Sequence, residues 1–279
     1  MKRLLATTAL AFVAAAGSAM AADPETVVIL QKFDMPRGEV QNVKNYIGAV
    51  TDITESSLSG TNIQNLLQWR DVSADGDVGD IYEFTQYTDE AQKVVNTAIS
   101  SYGGVGAELS AVNVMNLIEL EDTIGGDGFV GDHLMLKQIA LGTNQAGVNT
   151  LLAKGPIFEG SSAAVTNLAN VADITGAGGG TVYGDIVRLD QYAAFAKQTA
   201  NNWASAGSVE GLSMSATNGF NIANFDLSDM TGAADIELKQ VTFNVTQDIS
   251  NGVQAHGSVV GAALSGVNLG NIVTFVAAE

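Results

Sequence analysis

"LSGVNLGNIVTF", residues 264–275, is the stretch on which the fold of this chain turns. Asn268 and Asn271 sit in an otherwise apolar, strand-like run, and the phrase recurs. It reads "LSGTNIQNLLQW" around Asn62 and Asn65, "LSAVNVMNLIEL" around Asn113 and Asn116, "AAVTNLANVADI" around Asn167 and Asn170, and "NGFNIANFDL" around Asn221 and Asn224. The first asparagine of each pair steps by 51, 54, 54 and 47 residues. A period of this size marks a repeat architecture.

Two further motifs keep the same period. A glutamine and an asparagine four residues apart occur as Gln41/Asn45, Gln92/Asn96, Gln145/Asn149, Gln198/Asn202 and Gln247/Asn251. Earlier in each unit, alternating apolar residues lead to a glutamine: Val27/Ile29/Gln31, Tyr82/Phe84/Gln86, Leu134/Leu136/Gln138, Val187/Leu189/Gln191 and Ile236/Leu238/Gln240. A period of two is that of a strand, with the apolar residues and the glutamine on one face. Ten of the 13 glutamines and 15 of the 20 asparagines fall into these columns, a sorting that composition alone would not produce. The sequence therefore predicts an all-β chain, a β-solenoid-like stack of five tandem repeats of about 51 residues. The units run 27–80, 81–132, 133–185, 186–235 and 236–279.

The joints between units are rich in Gly and Asp: "SADGDVGD", "TIGGDGFVGD", "GAGGGTVYGD" and "MTGAAD". Gly permits tight or left-handed turns, and Asp favours turns through local hydrogen bonds. "DEAQKVVNTAISSY" and "QYAAFAKQTANNWASA" could form short helices. Their Gln-x-x-x-Asn columns, however, align with "VTQDISNGVQ", which is β-branched and broken by Gly. Extended structure is the expectation throughout.

A buried carboxamide is costly unless its donors and acceptor are paired. A stack of equivalent layers solves this, because the same amide recurs at the strand spacing of about 4.8 Å and bonds to its copies above and below. The candidate functional residues are thus structural ladders, and they also fix strand register. The glutamine columns are Gln31, Gln86, Gln138, Gln191, Gln240 and Gln41, Gln92, Gln145, Gln198, Gln247. The asparagine columns are Asn45, Asn96, Asn149, Asn202, Asn251, then Asn62, Asn113, Asn167, Asn221, Asn268, then Asn65, Asn116, Asn170, Asn224, Asn271. The three-residue spacing of each Asn pair puts its members on opposite strand faces unless a bend intervenes. The competing reading places these asparagines in exposed turns.

The opening "MKRLLATTALAFVAAAGSAMA" has a basic start, an apolar stretch and a small-x-small end, the pattern of a secretory signal peptide over 1–21, cut before Ala22. Residues 22–279 are then a single repeat domain. Without Lys2 and Arg3, ten basic residues face 30 acidic ones, a net charge of −20. Such a surface repels nucleic acid and anionic lipid. No later stretch approaches the ~18 apolar residues of a membrane helix, so no integral membrane anchor is expected. Cysteine is absent, which excludes disulfides, thiol chemistry and cysteine metal sites. The apolar share, 46%, is too high for disorder. The first repeat begins soon after the cleavage point and the last runs close to Glu279, leaving no room for caps. An uncapped stack exposes its terminal layers, and a head-to-tail contact that repeats gives an open filament.

Secreted, acidic, Cys-free units with regularly placed Gln and Asn resemble the curlin-type functional amyloids of bacterial biofilm fibres. "NQAGVNTLLAKG", 144–155, carries Gln145, Gly147 and Asn149 in the order of the curlin unit, with a Gln–Asn separation one residue shorter. "TQDISNGVQ" keeps Gln247, Asn251 and a later Gln254. The pattern is also similar to that of Fap-type fibre subunits, which usually carry a Cys pair that this chain lacks. The units are more than twice the curlin length, so one or two layers per unit remain open. The resemblance implies a self-assembling extracellular β-fibre subunit, secreted or held at the surface of a Gram-negative-type bacterium. The expected partner is the chain itself, as an open-ended homopolymer, with a nucleator and an outer-membrane export pore as further candidates.

Catalytic constellations are sparse. His133 and His256 occupy different positions of different units, and no Gly-x-Ser-x-Gly elbow exists. No enzyme activity and no cofactor are expected. The candidate metal ligands are Asp75, Asp77, Asp80, Asp127 and Asp132 in the Gly-rich joints, where oxygen ligands at short spacing suit Ca²⁺ and where solvated turns are the plainer reading. Two alternatives follow from other classes: a monomeric β-repeat adhesin or Ca²⁺-binding surface module, and a carbohydrate-active enzyme on a β-helix scaffold. An outer-membrane barrel would need aromatic girdles, against an aromatic content of 6%.

Overall fold

The computed structural model describes residues 26–33, 39–70, 81–121, 133–175, 186–227 and 235–277. These residues form strands, turns and bends and no helix. The segments read above as possible helices are strand: residues 91–100 and 197–206 lie in regular alternation of buried and exposed positions. The signal segment and the joints carrying Asp75, Asp77, Asp80, Asp127 and Asp132 lie outside the described residues.

The strands make three parallel sheets. The first contains β1 (Thr26–Phe33), β4 (Ile81–Thr88), β7 (His133–Leu141), β11 (Ile186–Ala194) and β15 (Asp235–Phe243), in that spatial order. The second contains β2 (Val40–Ala49), β5 (Ala91–Ser100), β8 (Asn144–Ala153), β12 (Lys197–Ala206) and β16 (Thr246–Ala255), again in chain order. The third is built on β3 (Ile53–Arg70), β6 (Val105–Glu121), β10 (Ser162–Thr175) and β14 (Ser213–Leu227), followed by β18 (Ala263–Leu269) and β19 (Ile272–Ala277), which both pair with β14. Short strands β9 (Pro156–Ile157), β13 (Ser208–Glu210) and β17 (Val259–Val260) line the corner between the second and third sheets. Every pairing is parallel, and each strand meets the strand one passage later in the chain, which is the topology of a solenoid.

The first two sheets lie along one wall and the long strands of the third form the other. The first sheet packs Phe84, Leu136 and Leu189 against Ile118, Ile174 and Phe225 of the third. The second packs Ala98, Leu151 and Ala204 against Ala107, Leu109, Ala163 and Met214. Between them runs a slot with compensating sizes. Gly147 faces Val165, Ala200 lies with Ala216, and Ile249 faces Gly266. A Cβ on Gly266 would sit 2.8 Å from Ile249. Interiors hold crystal-like density, so a large residue on one wall demands a small one on the other.

The bend that the Asn pairs require is present. β10 buries every second residue up to Ala169, then buries Asn170, and the phase of alternation changes from odd to even positions. Asn170, Asn221 and Asn271 have positive φ, 58°, 50° and 34°. Asn tolerates this left-handed conformation better than most residues. The conformation turns both asparagines of a pair inward.

Candidate functional site: amide ladders and outer edges

Five columns of side-chain amides run through the described layers without a break. In the first sheet, Gln86 Nε2 donates to Gln31 Oε1, Gln138 to Gln86, Gln191 to Gln138 and Gln240 to Gln191, at 2.7–2.9 Å. In the second sheet, Gln92 donates to Gln41, Gln145 to Gln92, Gln198 to Gln145 and Gln247 to Gln198. Four residues on, Asn45 Nδ2 donates to Asn96 Oδ1, Asn96 to Asn149, Asn149 to Asn202 and Asn202 to Asn251.

The third sheet carries two columns. Asn62 donates to Asn113, Asn113 to Asn167, Asn167 to Asn218 and Asn218 to Asn268. Asn65 donates to Asn116, Asn116 to Asn170, Asn170 to Asn221 and Asn221 to Asn271. One pair therefore differs from the sequence expectation. Asn218 takes the place assigned to Asn221, and Asn221 takes the place assigned to Asn224. Asn224 stands across from Asp173 and Thr274, outside both ladders. The physical reason is register: the bonded partners of Asn218 lie 51 residues before and 50 after it, whereas the sequence alignment used steps of 54 and 47. The evenness of the spacing was the signal that separated the two choices.

Sequence reasoning missed what the second amide hydrogen does. Gln145 Nε2 also donates to the carbonyl of Leu168 at 2.8 Å, and Asn149 Nδ2 to that of Ala164 at 2.8 Å, both across the core on the third sheet. In return, Asn167 Nδ2 donates to the Thr199 carbonyl of the second sheet, and Asn170 Nδ2 to the Tyr192 carbonyl of the first. Each amide is thus a link along the stack and a stitch between walls. Buried backbone carbonyls accept a second bond this way, and a buried amide reaches satisfaction without water.

The two kinds of ladder point in opposite senses. Along the ladders each asparagine short of the last layer donates to its copy in the later layer, and each glutamine beyond the first layer donates to its copy in the earlier one. In the outermost layers the ladders stop. Asn251, Asn268 and Asn271 accept from the layer before, and their Nδ2 atoms reach only groups of their own layer. Gln31 and Gln41 accept from Gln86 and Gln92, and donate to the Leu66 and Ile63 carbonyls. Among the described residues, the strands of these layers pair on one side only. Their apolar residues are correspondingly open: Leu264, Val273 and Phe275 are exposed, whereas Leu109, Ile118 and Phe225 of inner layers are fully buried.

Among the described residues no group of three or more His, Asp or Glu side chains is placed to hold a metal ion. His133 opens β7, and His256 sits exposed at the bend after β16. Arg188 pairs with Asp190 at 3.0 Å and Lys197 with Asp248 at 3.6 Å, both on outer faces. Comparison with family models, with curated proteins and with solved structures gives no match.

Proposed function

We propose that residues 22–279 form five tandem layers, one per unit of about 51 residues, and that the chain is a secreted structural protein. In this reading it is the subunit of an extracellular amyloid-like fibre or biofilm matrix. Its bonding partner is a further copy of itself, and a nucleator and an export pore are candidate accessories. The observation that carries the reading is the state of the outer layers. Among the described residues they hold the same amides, the same backbone edge and the same apolar positions as the buried layers, without a layer on one side. Exposed edges of this kind are templates for pairing, and soluble proteins usually blunt them with prolines, bulges or charge. β16 and β18 carry no proline and a single charge, Asp248. Cross-β assembly through stacked Gln and Asn ladders then follows from the same chemistry that holds the inner layers.

The test is dilution of the 22–279 chain from denaturant, followed by electron microscopy and thioflavin fluorescence. Unbranched fibres with a concentration-dependent lag are expected. A monodisperse monomer at every concentration would refute the proposal and favour the adhesin reading.

A further inference from the structure

The opposed senses of the ladders carry an inference that rests on the fibre reading and goes beyond it. The outer edge at β15, β16, β18 and β19 offers amide donors at Asn251, Asn268 and Asn271 and amide acceptors at Gln240 and Gln247. The outer edge at β1, β2 and β3 offers the reverse: acceptors at Asn45, Asn62 and Asn65, and donors at Gln31 and Gln41. We propose that a second copy of this chain docks its β1–β2–β3 edge on the β15–β16–β18–β19 edge in a single register. That register pairs Gln240 with Gln31, Gln247 with Gln41, Asn251 with Asn45, Asn268 with Asn62 and Asn271 with Asn65. The fibre is therefore polar, with chemically different tips.

Three observations support this register over others. The first is the backbone. Ser101 N–H donates to the Ala49 carbonyl, and Thr246 and His256 N–H donate to the Ala196 and Ala206 carbonyls. Neighbouring residues of a strand point their polar groups to opposite sides. β16 therefore presents the groups of its odd-numbered residues at the free edge, and β2 those of its even-numbered residues, as adjacent parallel strands require. A two-fold joint would run the strands antiparallel and would bring no column onto its own continuation.

The second observation is size. Val43 faces Gly60 in the first layer and Ile249 faces Gly266 in the last, so on both sides of the joint the large residue stands on the second sheet and the glycine on the third. On the outer face the Trp203 ring lies over Gly252, where a Cβ would sit 2.5 Å from it. Within the first layer, Gln64 Nε2 is a buried nitrogen without a hydrogen-bond partner, and its column ends at Gly270, where a Cβ would meet nothing within 4 Å.

The third is charge. Among the described residues, Asp235, Glu237, Lys239 and Asp248 come opposite the positions of Thr26, Val28, Leu30 and Asn42, so the register pairs no like charges there. For an acidic protein this is a selective condition, since like charges directly opposite destabilise a strand pair.

The chain has no cysteine, so paired cysteines read the joint directly. Asn42 and Asp248 are exposed, and the proposed register makes them neighbours at the spacing of about 4.8 Å, within disulfide reach. The 22–279 chain carrying Asn42→Cys and Asp248→Cys together is assembled, oxidised with copper–phenanthroline and run on a non-reducing denaturing gel. Covalent trimers and larger species are expected, with either single variant staying monomeric under the same treatment. Lys44→Cys with Ser250→Cys is a second in-register pair for the case in which the first does not fold. Asn42→Cys with Ser250→Cys, two residues off register, should not cross-link. Dimers from a single variant, or equal cross-linking of the off-register pair, would overturn the polar register. Fibres of both in-register pairs without cross-links would do the same, and all these results leave the fibre reading standing. Failure of the unsubstituted chain to form fibres would overturn the fibre reading itself.

Discussion

Asn149 and Asn251 belong to one column, yet they differ in almost every physical respect. Asn149 is fully buried, accepts from Asn96, and donates to Asn202 and to the Ala164 carbonyl. Asn251 is half-buried, accepts from Asn202, and donates only to the Ser265 carbonyl. The residue type is constant, and the position in the stack alone decides what it does. Inside, the amide holds the fold together. At the edge, the same amide is a half-made bond.

The largest test of that contrast removes a whole column. Changing Gln41, Gln92, Gln145, Gln198 and Gln247 to Ala together leaves opposed backbone carbonyls and cavities in every layer. Each buried acceptor left unmade costs about 1–3 kcal/mol, and domain stability is only about 5–15 kcal/mol. The fivefold variant should therefore lack a cooperative unfolding transition by circular dichroism and form no fibres. Normal fibres from it would remove the ladder role altogether.

Single substitutions in that column sharpen the comparison. Gln145→Ala should lower stability by about 2–4 kcal/mol, since it breaks links on both sides and the bonds to the Asn113 and Leu168 carbonyls. Gln247→Ala breaks one link and one carbonyl bond near solvent and should cost about 1 kcal/mol. Urea melts of the monomer give both values. Assembly should reverse the order of surprise, with Gln247→Ala slowing fibre growth although it scarcely changes the melt. Equal stability losses would show that the outer layer is not the weaker one.

Packing gives a smaller effect with a clear sign. Gly147 lies against Val165, and an added methyl has no space there. Gly147→Ala should destabilise by about 1–3 kcal/mol, as overpacking does. Adding Val165→Ala should recover part of that loss, because the two residues share one slot. Thermal melts of the two single variants and the double give the coupling. No recovery in the double variant would mean that the slot does not behave as a shared volume.

The columns were legible in the sequence because amides are costly to bury unless paired, and most of them fall where repeated layers pair them. Gln31, Gln86 and Gln138 could be read from alternation alone. The misplaced pair, Asn221 with Asn224 in place of Asn218 with Asn221, shows the limit. "TNGFNIANF" holds three asparagines at three-residue spacing, so local pattern fits either choice, and only the evenness of the steps between units favours the pair that bonds to Asn167 and Asn170. The stitching of amides to carbonyls across the core was not legible, because it depends on which walls face each other. The left-handed bend at Asn170 could be stated as a condition of the Asn pair but not placed on one of its two members.

The outer faces supply the last and smallest test, because there carboxylates and amides stand where the interior has amides alone. In the third sheet Gln68, Glu119 and Asp173 occupy successive positions of one outward column, and Gln68 Nε2 donates to Glu119 Oε2 at 2.5 Å. Glu119 and Asp173 are directly paired in register, and like charges so placed oppose the pairing. Glu119→Gln keeps an acceptor for Gln68 and removes the repulsion, turning the column partway into an outer ladder. Stability should rise by about 0.2–1 kcal/mol at low salt. The gain should shrink as salt screens the exposed carboxylates, since the Debye length falls from about 10 Å at 0.1 M to about 3 Å at 1 M. Urea midpoints at the two salt concentrations measure it. A gain that does not depend on salt would come from the amide bond instead of the lost charge, and the exterior would then obey the same rule as the core.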